Sequence, residues 1–195
     1  TEKGFTYPSF VSEEEMAQIR EEQEKAGVNT GYYGKWAKDR ELTFEEIKDN
    51  LDAGKPWTLR LKSGGDPEVV MKFKDGIRGE INVRQNNLDV VILKQNGIPT
   101  YHFAHVVDDH FMRVTDVVRG EEWLSTLPIH LELFFVMGWR RPNYNHTAHL
   151  MKVEDGKKRK LSKRKDPELS LEYYMKDGYF PEAVTEYLMT LMNSN

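Results

Sequence analysis

The sequence contains no cysteine, which excludes disulfide bonds and metal sites built on thiolates. It also lacks a long apolar run: the longest, residues 131–137, is interrupted by Glu132 and falls far short of the ~20 residues that cross a bilayer. The sequence begins at Thr1, and no charged and then apolar leader follows. We therefore expect no membrane span, no membrane partner and no signal peptide, and a reducing, cytoplasmic compartment.

The composition is that of a folded protein with one strongly basic segment. The length of 195 residues fits one full domain or two small ones. Hydrophobic residues make up 38 % and charged residues 31 %, which supplies a core and excludes an obligately disordered chain. Lys and Arg number 28 against 32 Asp and Glu, so the net charge of −4 gives no general case for nucleic-acid binding. Residues 152–165, however, hold eight basic and two acidic side chains. This segment is suited to binding anions.

The first half of the sequence predicts an α+β module over residues 1–95. Two Ser/Thr-x-x-Glu sequences have the spacing of capping boxes, and they predict helices over residues 12–25 and 43–54. Alternating apolar residues predict strands over 57–61 and 69–73. The Gly-Gly-Asp sequence between these strands predicts that they form a hairpin.

The second half predicts part of an α/β sheet. Residues 100–107 and 113–118 have the composition of strands, whereas residues 121–137 have the apolar spacing of a helix packed on a sheet. There is no glycine-rich strand-to-helix turn of the kind that dinucleotide and P-loop sites require. After residue 142 we expect a basic loop that runs to Asp166, followed by two helices.

Three groups of side chains suit the binding of a nucleotide or an amino acid. Lysines of the loop 160–164 can neutralise phosphates, although a plain solvated loop has the same composition. Arg119 ends a predicted strand, and its planar fork suits a carboxylate or phosphate, or a surface ion pair with a neighbouring glutamate. Tyr101 and His105 alternate on one strand face, so they either line a pocket or belong to the core.

Two further clusters leave alternatives open. Aromatic side chains interleaved with Lys and Arg over residues 32–40 can stack on the unpaired end of an RNA, or form a small core beneath a loop. Five potential ligands between His102 and His110 raise the possibility of a metal site. Strand alternation would place His102 and His105 on opposite faces, so a polar turn over residues 108–110 is the simpler interpretation.

Four ordered segments together resemble the bacterial glutamyl-tRNA synthetases, a family of class I aminoacyl-tRNA synthetases. They are residues 98–104, 106–109, 114–124 and 160–164, the last a variant of the KMSKS loop. The loop over 32–40 resembles the acceptor-stem insertion of that family. The resemblance implies an α/β fold: the second half of a Rossmann-type catalytic domain with an inserted α+β module and a C-terminal helical segment.

The resemblance implies three functional segments. A tRNA acceptor-binding insertion would span 1–95, the second half of the catalytic domain 96–142, and the KMSKS loop with the start of a helical stem-contact domain 143–195. The family's His-x-Gly-His segment would lie before Thr1 and its anticodon-binding region after Asn195. We therefore expect an internal fragment that is inactive alone.

The resemblance also assigns roles to individual residues, with Lys160 and Lys163 as the catalytic pair that neutralises phosphate charge. The residues implied to hold glutamate are Tyr101, His105 and Arg119. The residues implied to hold ATP are Glu122, Trp123, Lys160, Ser162 and Lys163. The residues implied to contact tRNA are Lys35, Trp36, Lys38 and Arg40. His105 stands where the family often has Asn, which is the main departure in the glutamate pocket.

The implied reaction is activation of L-glutamate with ATP and its transfer to the acceptor end of tRNA(Glu), by a monomer, with Mg²⁺ entering as part of the ATP substrate. No zinc and no other protein-bound metal is expected. The places of the family's zinc ligands are taken here by Ser9, Val11, Trp36 and Lys38. The alternative is a truncated synthetase-like module that binds the tRNA acceptor end without activating an amino acid.

Overall fold

The computed structural model describes residues 4–162 and 164–193, which hold six α-helices and nine strands. The helices are α1 (Glu13–Lys25), α2 (Phe44–Asp52), α3 (Tyr101–Phe111), α4 (Leu127–Met137), α5 (Leu171–Lys176) and α6 (Pro181–Asn193). The strands are β1 (Thr6–Ser9), β2 (Thr58–Leu61), β3 (Val70–Asp75), β4 (Gly79–Arg84), β5 (Val91–Leu93), β6 (Asp116–Gly120), β7 (Asn143–Thr147), β8 (Met151–Glu154) and β9 (Lys157–Lys160). None of the described helices is long and apolar enough to cross a membrane.

The chain folds as two units. Unit 1 comprises Thr1–Lys72, Asn82–Thr115 and Thr126–Pro142, and unit 2 comprises Phe73–Ile81, Asp116–Ser125 and Asn143–Asn195. The hairpin of β3 and β4 therefore has its open end in unit 1 and its tip in unit 2. The three functional segments inferred from the resemblance concern roles, and they remain a prediction.

The first two helices begin where their caps predict. Ser12 Oγ accepts the Glu15 N–H at 3.1 Å, while Glu15 Oε2 accepts the Ser12 N–H at 2.9 Å. Thr43 and Glu46 repeat the arrangement at 3.3 and 2.8 Å. Each box satisfies two N–H groups that a helix end would otherwise leave unpaired. Both predicted helices are confirmed.

The sheet of unit 1 has the order β1-β2-β5, with both pairings antiparallel. The hairpin predicted between residues 57–61 and 69–73 is wrong, because β3 pairs with β4 instead. The segment after β2 is held by Glu132 of α4, whose carboxylate accepts the Ser63 hydroxyl and the Gly64 N–H, each at 2.8 Å. These bonds direct the chain away from β2 before β3 begins.

The core of unit 1 is formed by β2, β5, α3 and α4. Its buried members are Leu61, Ile92, Val106, Ile129, Leu133 and Phe134. Full burial of each such side chain contributes about 1.5–3 kcal/mol relative to exposure. Burial of these side chains stabilises the packing of α3 against β2, β5 and α4.

Residues 101–111 form a helix, so the strand predicted over 100–107 and the polar turn predicted over 108–110 are both wrong. Thr100 precedes the helix, and its hydroxyl donates to the Val91 carbonyl at 2.7 Å. Val106 is fully buried in the core. The β-branched and aromatic composition favours a strand, but burial of one helical face overrides that local preference.

The helix predicted over residues 121–137 is interrupted. Glu121–Thr126 forms a 3₁₀ helix, and α4 starts only at Leu127, with Pro128 in its first turn. Proline fits there because the first turn leaves its N–H groups unpaired anyway. Gly138 ends α4 with φ of 71°, in the left-handed conformation that favours glycine.

The two strands that flank α4 in sequence, β6 and β7, pair in parallel. A parallel pair requires a long connection such as a helix, so this is the α/β arrangement that the sequence predicts. The predicted strand over 113–118 lies slightly later, at β6. The register places Arg119 directly opposite His146.

The basic segment is partly a hairpin rather than a loop. Strands β8 and β9 pair antiparallel through a turn at Asp155 and Gly156, both with positive φ, 49° and 74°. An Asp-Gly pair in this conformation matches the twist of two-residue hairpins. The basic loop predicted to run to Asp166 therefore begins only after Lys160. The predicted final helices correspond to α5, which follows a short 3₁₀ turn, and α6.

One buried carboxylate joins the end of β1 to the segment before α2. Asp39 Oδ2 accepts the Ser9 hydroxyl at 2.7 Å and the N–H groups of Phe10 and Val11 at 2.9 and 3.2 Å. These bonds bring the chain into position for α1. Asp39 is thus a structural carboxylate.

Asp39→Ala is expected to lower the free energy of unfolding by roughly 2 kcal/mol, because it leaves the Ser9 hydroxyl and two N–H groups without an acceptor. Urea denaturation of the purified protein measures the change. Asp49 lies exposed on α2, and Asp49→Ala should stay within about 0.5 kcal/mol of wild type. Equal effects of the two variants would contradict the role of Asp39.

Candidate functional site

Arg119 lies near the end of β6, and its guanidinium is held by three residues of unit 2. Nε donates to His146 Nε2 at 3.0 Å. The guanidinium carbon is 4.7 Å from the ring centroid of Tyr144 and 5.9 Å from that of Trp123. One terminal nitrogen is 3.4 Å from the Trp123 carbonyl oxygen. A cation held against aromatic faces keeps its fork in one orientation, so Arg119 is preorganised for a planar anion.

A buried carboxylate lies on the other side of His146. Asp75, the last residue of β3, has Oδ2 2.6 Å from His146 Nδ1, and both side chains are fully buried. Burial lowers the pKa of His146; Asp75 opposes this shift and Arg119 adds to it, so that the pKa stays below its ordinary value. Burial raises the pKa of Asp75, but hydrogen bonds led by the Arg78 N–H outweigh it and lower the pKa overall.

The two glutamates after β6 are paired within unit 2. Glu121 forms an ion pair with Arg78, and its Oε1 accepts the His149 N–H at 3.1 Å. That N–H bond is the main reason why the pKa of Glu121 lies below its usual value. Glu122 Oε1 is 3.4 Å from Lys160 Nζ. Two of the residues predicted to hold ATP are thus in contact.

The segment that follows β9 is anchored by Asp166, a buried residue. Its carboxylate accepts both terminal nitrogens of Arg159, at 2.7 and 2.8 Å, and the Ser162 N–H at 2.7 Å. The Arg159 bonds, followed by the Ser162 bond, hold the pKa of Asp166 well below its usual range. Lys163, the predicted catalytic lysine between Ser162 and Arg164, lies outside the described residues.

Tyr101 and His105 lie one turn apart on α3, and their rings stack with centroids 5.9 Å apart. The structure therefore brings this predicted pair together, although on a helix face rather than a strand face, since residues four apart share one side of a helix. His105 Nε2 is 3.2 Å from Asp109 Oδ2. The Tyr101 side chain is exposed at the start of the helix.

His102 shares this side of α3, so the expectation that His102 and His105 face opposite ways is wrong. His102 Nδ1 is 2.9 Å from Nε2 of His130, a buried residue of α4. The ring of His105 packs on the same His130 with centroids 4.5 Å apart. In the part of the chain that the structure describes, no group of three or more His, Asp or Glu side chains is placed to hold a metal ion.

Part of the aromatic and basic loop over residues 32–40 has a structural role. Tyr32 is buried. Arg40 donates to the Ser63 carbonyl at 2.6 Å and pairs with Asp89, a buried carboxylate, at 3.3 Å. Burial raises the pKa of Asp89, against the hydrogen bonds and cations around it. Tyr32 and Arg40 thus belong to the small core that is the alternative to RNA binding.

Other residues of this loop face solvent. Lys35 Nζ is 4.7 Å from the ring centroid of Trp36, which is half-buried. Lys38 forms an ion pair with Glu15 of α1. Among the four predicted tRNA contacts, Lys35 and Trp36 therefore present a cation and an aromatic ring side by side.

Sequence reasoning did not single out Asp75, His146 or Asp166. The sequence predicts Asp166 only as the end of a loop. Tyr144 and His146 alternate along β7, which is the pattern of two side chains on one strand face. This alternation points to a functional site only once the strand register is known, because the register places His146 directly opposite Arg119.

The chain belongs to the class I tRNA synthetases. The family model described as tRNA synthetases class I (E and Q), catalytic domain, matches residues 1–194. The chain therefore has the fold of a class I synthetase catalytic domain, with mixed helices and strands.

Individual relatives agree with this assignment. The chain is 62 % identical over 194 residues to a glutamate–tRNA ligase of Acetivibrio thermocellus, covering 100 % of this chain and 36 % of that protein. It is 50 % identical over 192 residues to one from Clostridium beijerinckii, covering 98 % and 35 %. A crystal structure of a glutamate tRNA ligase from Elizabethkingia meningosepticum in complex with its amino acid superimposes with a TM-score of 0.71 at 36 % identity, covering 86 % and 34 %. The chain spans about a third of the length of these relatives.

Asp166→Asn is expected to loosen the segment after β9, because a neutral amide cannot replace the carboxylate that pairs with Arg159. Trypsin cleavage within residues 152–165, followed by mass spectrometry, should become several-fold faster. Asp155→Asn removes the same charge at the exposed hairpin turn, where Asn also tolerates positive φ, and should leave the rate unchanged.

In the wild-type protein, the pH dependence of this anchoring follows from the Asp166 carboxylate. The folded pKa of Asp166 lies below the unfolded value of ~3.9. The stabilisation that Asp166 gives to the folded segment is therefore complete above about pH 4, and it is lost as the pH falls through the folded pKa. Equal cleavage rates for wild type and Asp166→Asn at neutral pH would contradict the anchoring role.

Proposed function

We propose that the full-length protein that carries this chain is a glutamate–tRNA ligase, which activates L-glutamate with ATP and transfers it to tRNA(Glu). One observation carries the proposal. Within unit 2, Arg119 lies against Trp123, and the next residue in sequence before it, Glu122, contacts Lys160 at 3.4 Å. Arg119, a cation suited to a carboxylate, and Lys160, a cation suited to phosphates, are thus both contacted by residues that follow β6. The names of the relatives support the same activity, and a cytoplasmic location is part of the proposal.

Arg119 pairs with a carboxylate of glutamate. Its planar fork matches a carboxylate with two parallel N–H bonds, and the rings of Tyr144 and Trp123 fix the plane of that fork. We also assign Tyr101 and His105, two residues of unit 1, to binding glutamate. His105 has an imidazole where the family often has Asn, and its Nε2 lies 3.2 Å from Asp109 Oδ2.

The reaction proceeds in two steps that need little covalent chemistry from the protein. First, a carboxylate oxygen of glutamate attacks the α-phosphorus of ATP, and the bond to the leaving pyrophosphate breaks. Second, a hydroxyl of the terminal adenosine of tRNA attacks the adenylate carbonyl, and AMP leaves. The protein supplies alignment and charge stabilisation.

The phosphate charge is met by the last residue of β9, Lys160, and by Lys163. We assign Lys160 and Lys163 to neutralising the phosphates, with Mg²⁺ entering as part of the ATP substrate. The Ser162 N–H donates to the buried Asp166 at 2.7 Å, so the backbone two residues after Lys160 is tied to a buried group. Glu122 holds Lys160 until the nucleotide binds.

The acceptor end of tRNA is met by Lys35 and Trp36. An aromatic ring stacks on an unpaired base, and an adjacent lysine neutralises the backbone phosphate. Lys38 adds charge but is already paired with Glu15. Arg40 contributes by holding the loop through Asp89 and the Ser63 carbonyl.

Lys163→Ala in the full-length protein is expected to lower glutamate-dependent ATP–pyrophosphate exchange by about 10²-fold or more, because it removes a charge that stabilises the transition state. Exchange is measured with glutamate and tRNA both supplied. Lys176 lies exposed at the end of α5, and Lys176→Ala should behave as wild type. If the wild-type full-length protein shows no glutamate-dependent exchange, the proposed function is wrong and a tRNA-binding module is favoured instead.

Lys35→Ala and Trp36→Ala are expected to separate charge from stacking in tRNA binding. Lys35→Ala should lower the slope of log affinity against log salt by about one, since one phosphate contact is lost. Trp36→Ala should weaken binding about ten-fold at every salt concentration, because a stacked base contributes roughly 1–3 kcal/mol. Lys48→Ala on α2 is the matched charge control. A Lys35→Ala slope equal to that of Lys48→Ala would contradict the assignment.

A further inference from the structure

We propose that Asp75 and His146 are positioning residues for Arg119: Asp75 selects the tautomer of His146, and His146 then fixes the edge by which the guanidinium meets the glutamate carboxylate. This inference rests on the proposed role of Arg119 in binding glutamate. It adds two residues that carry no substrate contact of their own. Their effect is transmitted through Arg119.

The carboxylate of Asp75 is held in place by backbone N–H groups. Its Oδ1 accepts the N–H groups of Ile77, Arg78 and His146 at 3.0, 2.9 and 3.2 Å. The tip of the hairpin is also bound to β7, since the Gly76 N–H donates to the Tyr144 carbonyl at 2.9 Å. The carboxylate therefore cannot rotate without breaking these bonds, and Oδ2 remains directed at His146 Nδ1.

These contacts are compatible with a single tautomer of His146. The Nε of Arg119 always carries a proton, so His146 Nε2, at 3.0 Å, must accept. Nδ1 must then carry the ring proton, and it donates to Asp75 Oδ2 at 2.6 Å. A proton on Nε2 would instead bring two donors face to face, the His146 Nε2–H and the Arg119 Nε–H. The neutral ring with its proton on Nδ1 satisfies both neighbours.

The consequence for Arg119 is geometric. With Nε bonded to His146, the side of the fork formed by Nε and one terminal nitrogen is not available to the ligand. A carboxylate is therefore bound end-on, by the terminal nitrogens, one of which also lies 3.4 Å from the Trp123 carbonyl oxygen. The parallel register of β6 and β7 places Arg119 and His146 as direct partners, so this choice is built into the sheet.

Asp75→Asn in the full-length protein is the sharpest test. Asn keeps an oxygen for the three backbone N–H groups but presents an amide donor to His146 Nδ1, so the ring proton must move to Nε2 and oppose Arg119. We expect the KM for glutamate to rise about ten-fold or more, because a hydrogen bond to a charged group is lost. The kcat and the KM for ATP should stay within about three-fold of wild type.

Two substitutions of His146 separate positioning from a merely structural role. His146→Asn can bond Asp75 but is too short to reach Arg119, and it should raise the KM for glutamate as Asp75→Asn does. His146→Gln can place a carbonyl oxygen near Arg119 Nε and should restore most of the affinity. Asn143→Ala on the same strand, which loses a 2.9 Å bond to Asp116, is the control for effects on β7 itself.

A direct measurement keeps the proposal testable even if a variant folds poorly. The ¹⁵N shifts of the His146 ring in the wild-type protein, assigned by comparison with His146→Gln, should show Nδ1 protonated and Nε2 unprotonated. The opposite tautomer overturns the proposal. So does an unchanged KM for glutamate in Asp75→Asn when Arg119→Lys raises it. If Arg119→Lys itself has no effect on that KM, the failure lies in the proposed role of Arg119.

Discussion

The parallel pairing of β6 and β7 is the constraint on which the candidate site depends. Side chains alternate between the two faces of a strand, so a slip of one residue would turn Arg119 and His146 to opposite sides of the sheet. In the observed register the two are direct partners. Tyr144, two residues earlier on β7, lies on the same face as His146 and provides the ring beneath the guanidinium. One backbone register thus assembles the cation, its hydrogen-bond acceptor and its aromatic support.

Buried carboxylates organise the irregular segments of both units. Asp39 gathers the end of β1, Asp89 holds Tyr7, Arg40 and the Ser63 N–H, and Asp166 holds the segment after β9. Each accepts bonds from backbone N–H groups or cations, which offsets the cost of removing a charge from water. Loops that carry predicted ligand contacts are therefore tied to groups inside the protein rather than left to solvent.

The sequence predicted local features well where a short pattern decides them. The two capping boxes depend on residues close in the chain, and the helices that they predict are confirmed. The strand predicted around Tyr101 was wrong because burial of Val106 in the core outweighs the β-preference of its neighbours. The hairpin after β2 was wrong because Glu132, far along the chain, determines where that segment goes.

The candidate site divides in the same way. Arg119, Glu122 and Lys160 belong to contiguous motifs, so the sequence could single them out, and the structure brings Glu122 and Lys160 together. Asp75 and His146 are 71 residues apart, and neither stands in a recognisable motif. Their relation to Arg119 exists only in the folded chain, through a hairpin tip and a strand register that sequence reasoning did not supply.

The hairpin tip that carries Asp75 also limits how this protein can be recombined. Asp75 lies within the predicted segment 1–95, Arg119 within 96–142 and His146 within 143–195, yet the three side chains form one hydrogen-bonded series. A chimera that exchanged residues 1–95 for the equivalent of a distant relative would replace the residue that sets the His146 tautomer. The predicted insertion is therefore not an independent cassette, and a functional swap would have to keep this hairpin tip with its β7 partner.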